Sequence, residues 1–110
     1  MGYELQPLRI QTGWSVAFND FTEYDPGRDG EGDVSCLHED LLQLRHGGTG
    51  LVIDLGWYPS GDRNGRYVLL LVRGRDWDEP LERAESRSKG EIIGLIEHWM
   101  SEAFWGRYRR

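Results

Sequence analysis

The sequence predicts an α+β fold: an antiparallel meander of about five to six strands, packed on one face by a C-terminal helix. Three observations carry that expectation. Segments with the two-residue period of strands follow one another along most of the chain, and tight turns rich in Gly, Pro, Asn and Asp join them. One segment near the end has helical periodicity and a capping signal at its start. Strands joined consecutively by short turns pair antiparallel, and 110 residues form one domain, 1–110, able to bury a core.

The first segment, Tyr3 to Ile10, changes its apolar phase around Pro7, as an edge strand with a bend would. Trp14, Val16 and Phe18 then alternate with small or polar residues, predicting a half-buried strand in a hairpin with the first. Residues of about 20–40 form an acidic loop. Its middle, Asp25 to Asp33, holds three glycines and a proline in nine residues, too many for a helix or strand. Leu41 to Arg45 is a short strand. Leu51 to Tyr58 is another, apolar on both faces. Asn64-Gly65 marks a hairpin turn before Arg66 to Arg73. The run Tyr67 to Val72 has no polar face and belongs at the centre of the sheet. Leu81 to Arg87 alternates as an edge strand. The helix is predicted over about 89–104, with Ser88 and Glu91 as a capping box and Ile92, Ile93, Ile96, Trp99, Met100, Ala103 and Phe104 as its apolar stripe. Burying each large side chain of that stripe is worth roughly 1.5–3 kcal/mol.

Charge is distributed unevenly. Asp20, Glu23, Asp25, Asp29, Glu31, Asp33, Glu39 and Asp40 face only Arg28 within their segment, giving −7 there against −6 for the whole chain. Such localisation marks a docking surface for a basic partner, with Phe21 and Tyr24 as neighbouring aromatic anchors and Trp57 and Tyr58 as further ones. The alternative is a solvated loop kept soluble by its charge. Net acidity opposes nucleic-acid binding, which depends on Lys and Arg neutralising phosphates. No apolar run is long enough for a membrane span, and the N-terminus lacks the basic start and apolar stretch of a signal peptide. A single cysteine forms no internal disulfide, so a cytoplasmic protein is expected.

Chemistry-bearing motifs are weak, and neither a metal nor another cofactor is expected. A calcium loop from Asp25, Asp29, Glu31 and Asp33 does not match EF-hand spacing. Cys36, His38 and His46 lack the second ligand pair that structural zinc needs, and no orienting group completes a thiol–imidazole nucleophile. Gly61 and Gly65 serve a turn, not a phosphate loop. Asp54, inside an apolar strand, either points to solvent or pairs with a cation such as Arg66 or Arg73, and pairing is expected; a catalytic acid with a raised pKa is the further alternative. Trp14 and Trp99 have core phase, whereas Trp57 and Trp77 are less obliged to be buried.

Pro7-Leu8-Arg9-Ile10, Gly13-Trp14, Ile53 to Pro59, Asn64 to Tyr67 and Asp76-Trp77-Asp78 together resemble small bacterial immunity proteins of polymorphic or contact-dependent toxin systems. That resemblance implies a cytosolic, non-enzymatic inhibitor that binds one cognate toxin. With the acidic segment added, the toxin would be basic, as a nuclease is. A small enzyme with a carboxylate-containing cleft, and a homodimer joined through a sheet edge or Trp57-Tyr58, are the alternative functions.

Overall fold

The centre of the protein is one long hairpin. In a computed structural model that describes residues 3–29 and 34–109, β3 (Leu51–Tyr58) and β4 (Arg66–Arg73) pair without interruption from Leu51↔Arg73 to Tyr58↔Arg66. β2 (Leu42–His46) pairs with β3, β1 (Trp14–Asn19) with β2, and β5 (Glu82–Ser86) with β4. The sheet is an antiparallel meander in the order β1-β2-β3-β4-β5. The predicted α+β class and meander are what the chain adopts.

Strand alternation divides the side chains between two faces. Leu42, Leu44, Leu51, Ile53, Leu55, Trp57, Tyr67, Leu69 and Leu71 point inward. They share one core with Ile92, Ile96, Trp99, Met100, Phe104 and Trp105 of the C-terminal region. The residues between them in sequence, including Val52, Asp54, Gly56, Tyr58, Val68, Leu70 and Val72, lie on the opposite, outer face.

Four local expectations are corrected. Residues 3–10 form no hairpin with β1; among the described residues their bridge is Leu5↔Thr22. Gln6 N–H donates to the Phe21 carbonyl and Glu23 N–H to that of Glu4, after which Arg9 N–H reaches the Glu97 carboxylate at 3.1 Å. Pro7 lacks a donor, and this segment bridges the acidic stretch to the helix instead of extending the sheet. Second, a bulge between Val16 and Phe18 moves Phe18 to the outer face, opposite Gln43. Third, the turn at residues 59–65 takes its positive φ at Gly61 (75°), not at Asn64. Gly65 is needed for close approach, because a Cβ there would lie 2.3 Å from the Tyr58 carbonyl oxygen.

Fourth, the helix is broken. α1 spans Lys89–Trp99 and α2 spans Glu102–Trp105, with Ser101 extended at ψ 140° between them. The Ser101 hydroxyl donates to the His98 carbonyl at 2.6 Å, and the Met100 carbonyl accepts the Trp14 indole N–H at 3.0 Å. The break therefore leaves its exposed backbone groups partnered and turns Phe104 and Trp105 into the core. At the start of α1, the Ser88 hydroxyl accepts from Glu91 N–H at 3.2 Å. Only this half of the predicted box forms; Ser88 N–H donates to the Ser86 hydroxyl. Among the described residues, no helix is long and apolar enough to cross a membrane.

Two buried polar groups tie the layers together. Lys89, the one lysine, donates to the carbonyls of Thr22 and Tyr24 and sits 4.0 Å over the Phe21 ring. Burial lowers its pKa to about 8. His46 lies between Trp14 and Trp105, with ring centroids 5.1 and 4.2 Å away, and its Nδ1 is 2.9 Å from the Thr49 hydroxyl. Desolvation first, and then the Arg109 charge, push the imidazole pKa down. A base depressed in the folded state supports stability above its unfolded pKa and removes it as pH falls. The urea midpoint should therefore fall more steeply below pH 6.5 in the wild type than in H46F; parallel acid limbs would refute this role for His46.

Candidate functional site

The outer face of the sheet carries no helix, and its side chains form a surface with an acid at its centre. Asp54 stands on the middle strand with Gln43 on one side and Leu70 on the other. Val52 and Val72 flank it toward one end of the strands; Gly56 and Val68 flank it toward the other. Val52, Val68 and Val72 are buried, although no helix covers them. Phe18, Tyr58 and Trp77, each at least two-fifths exposed, rim this apolar strip. Phe18 arrives there only because of the β1 bulge.

Gly56 explains how acidic residues reach this face. A Cβ on Gly56 would lie 2.2 Å from the Glu39 carbonyl oxygen, so only glycine lets the chain pass so closely. Trp57 N–H donates to the His38 carbonyl, and Leu41 N–H to the Leu55 carbonyl. Residues 38–41 are thereby held along β3. Asp40 lines a depression of about 220 Å³ together with Phe18, Leu42, Gln43 and Asp54. Glu39 and Tyr58 line a second, of about 490 Å³, with Arg66, Val68, Arg83 and Glu85.

The expected ion pair of Asp54 is absent. Arg66 pairs with Glu85, and Arg73 lies on the inner face, where it donates to the Tyr108 carbonyl. Among the described residues Asp54 has no cationic partner, and Gln43 Nε2 reaches it only at 3.4 Å. Desolvation raises its pKa; the Gln43 hydrogen bond opposes that shift and the neighbouring Asp40 adds to it. The 220 Å³ depression is lined by no histidine, thiol or hydroxyl. Its chemistry is that of a receptor for a positive group beside an aromatic ring.

The predicted site residues separate into two groups. Asp25 and Asp29 close a local loop: Asp25 Oδ1 accepts from Gly27 N–H at 2.8 Å, Asp29 Oδ2 from Asp25 N–H at 2.9 Å. Asp29 also pairs with Arg28 at 3.0 Å, which holds its carboxyl below the ordinary range. Glu23 is exposed nearby, its carbonyl accepting from Arg28. Asp20 bonds His38 Nε2 at 2.6 Å. Glu39, Asp40 and Tyr58 belong instead to the outer face. Glu31 and Asp33 lie outside the described residues.

The aromatic anchors are corrected. Phe21 and Tyr24 are each 1% exposed and belong to the core. They fix the acidic loop to the body and offer no ring to a partner. Trp57 is equally buried, its indole N–H donating to the Asp62 carbonyl at 2.7 Å. Phe18 takes their place as an exposed ring. No group of three or more His, Cys, Asp or Glu among the described residues is arranged to hold a metal.

Sequence reasoning singled out Asp54 and favoured a cationic partner that the described residues do not supply. The missing signal was parity: Asp54 shares its face with Val52 and Tyr58, and β4 is apolar on both faces. An acid held half-buried without a cation costs stability. D54N should raise the urea midpoint at pH 7, by about 0.5–1 kcal/mol in stability, kept small because water reaches the carboxylate. Since the folded pKa is raised, the gain should shrink as pH falls toward the unfolded carboxylate value, where Asp54 is protonated in both states. A loss of stability at pH 7 would contradict the unpaired state.

Comparison of the chain with protein-family models, with curated proteins and with solved structures found no match.

Proposed function

We propose that this chain is a protein-binding inhibitor, of the immunity type its sequence resembles, and that it docks a basic partner against the outer face of its sheet. The observation that carries this reading is Asp54: a half-buried carboxylate without a cation, at the middle of an apolar surface rimmed by Phe18, Tyr58 and Trp77. Interfaces concentrate their energy in desolvated central contacts surrounded by groups that exclude water. A partner arginine or lysine seated between Asp54 and Asp40, against Phe18, satisfies the charge that the fold leaves open. The net charge of −6 steers a cationic protein toward the chain. On this reading the recognition charge is that of Glu39, Asp40 and Asp54, not of the whole segment 20–40. A toxin of nuclease type has the positive surface such a face requires.

The test is capture from the native host with tagged chain, followed by kinetics with the purified partner. One basic protein, encoded beside this chain's own gene, is expected. D54N and D40N should each weaken binding at least tenfold, mostly through dissociation, whereas E23Q should change it less than threefold. The association rate should fall as salt rises. Unchanged affinity in D54N/D40N would remove the outer face from the interface.

A further inference from the structure

We propose that the concavity between the β2–β3 turn and the C-terminal α2 segment is a binding site for a phosphate group. It measures about 540 Å³ and is lined by His46, Gly48, Thr49, Arg73, Trp105 and Arg109. Two guanidinium groups, an imidazole, a hydroxyl and a glycine backbone meet there, and no carboxylate among the described residues lines it. The chain as a whole carries 19 acids against 13 basic residues. The depressions beside Phe18 and Tyr58 are lined by Asp40 and Asp54, and by Glu39 and Glu85.

Arg73 is the key group. It ends strand β4 on the inner face, half-buried, and its Nη2 donates to the Tyr108 carbonyl at 2.5 Å. Among the described residues it has no carboxylate within salt-bridge distance, although four other arginines do. A guanidinium has five donors in a fixed fork, and a single carbonyl leaves most of them to a ligand. Tetrahedral oxyanions match that fork with two parallel hydrogen bonds.

The remaining lining fits the same ion. Arg109 is stacked 4.9 Å over Trp105 and is held there by Glu102, which fixes its direction while engaging part of its charge. The turn His46-Gly47-Gly48-Thr49-Gly50 bonds internally through Gly50 N–H to the His46 carbonyl. Gly48 presents no side chain, so an anion can approach the backbone of the turn closely. The Thr49 hydroxyl, 2.9 Å from His46 Nδ1, supplies one more donor or acceptor. The concavity exceeds the size of a phosphate ion, so its source is either free phosphate or a monoester whose remainder lies along Trp105.

The experiment titrates full-length chain with inorganic phosphate at constant ionic strength, following backbone and indole resonances by NMR. Saturable shifts at Gly48, Thr49 and the Trp105 indole are expected, with affinity in the millimolar range typical of a single ion. R73Q and R109Q should each weaken binding at least tenfold; R75Q, whose side chain lies outside this concavity, should stay within twofold. Should R73Q not fold, R73K, which keeps the charge without the fork, and the exposed R109Q decide the matter. Adenosine monophosphate serves as the second arm. Binding ten times tighter than phosphate assigns a nucleotide, and equal affinity assigns the free ion. Shifts that rise linearly and are matched by sodium chloride, or affinities unchanged in R73Q and R109Q, overturn the site.

Discussion

The β3–β4 pair constrains everything else in this protein. Its eight residue pairs run in unbroken register, and both faces of the pair are apolar. Because side chains alternate with period two, no register buries both sets behind one layer of helix. The inner set takes α1 and α2 and becomes the core. The outer set, Val52, Val68, Leu70 and Val72, is left to neighbouring strands, loops and whatever docks there. One C-terminal helical layer is too little cover for a hairpin of this composition. The apolar strip, here proposed as the docking surface, thus follows from a mismatch between the number of apolar faces and the number of layers available.

Two charges sharpen that surface. Asp54 and Arg73 stand on neighbouring strands, and simple sequence logic would pair them. Strand parity prevents it: Asp54 points outward with Val52 and Tyr58, Arg73 inward with Leu69 and Leu71. Neither finds an oppositely charged partner among the described residues, while the exposed Arg66, Arg83 and Glu85 form an ordinary surface cluster. Exposed pairs of that kind contribute little to stability. Half-buried, unpaired charges are the opposite case, since each retains most of its unfavourable desolvation until something of opposite charge arrives. Their separation onto different faces keeps the two proposed sites, of opposite sign, apart in one small domain.

Much of the architecture was legible from local chemistry. Tyr67 to Val72 identified an interior strand, paired on both sides though one place from the edge and not at the centre, because it has no polar side, and Ser88 marked the start of α1 because its hydroxyl can serve the free N–H of Glu91. The site was only partly legible. Phe18 reads as a core residue in phase with Trp14 and Val16; one extra residue in the strand reverses it, and no composition marks such a bulge. Phe21 and Tyr24 read as loop aromatics, yet each is 1% exposed. The helix stripe continues to Phe104, but the extended Ser101 interrupts it where Trp14 supplies an indole donor from a strand far away in sequence. In each case the deciding interaction is tertiary, and a one-dimensional pattern does not contain it.

The acidic segment shows why localisation in sequence is a poor guide to localisation in space. Phe21 and Tyr24 are among its few large apolar groups, so hydrophobic burial draws the segment onto the body there. Lys89 secures this by donating to the carbonyls of Thr22 and Tyr24. Backbone acceptors pinned by a buried ammonium leave Asp25 and Asp29 to fold back on their own loop and on Arg28. The chain then returns to the sheet at residues 38–41, where close passage over Gly56 fixes Glu39 and Asp40 beside Asp54. One run of like charges becomes two regions with different neighbours. The region on a solvated loop has water and Arg28 to screen it. The one on the apolar face faces a lower effective dielectric, where the same charges attract a cation more strongly. It is the surroundings of the carboxylates, not their number, that favour the outer face over the loop in the proposed recognition.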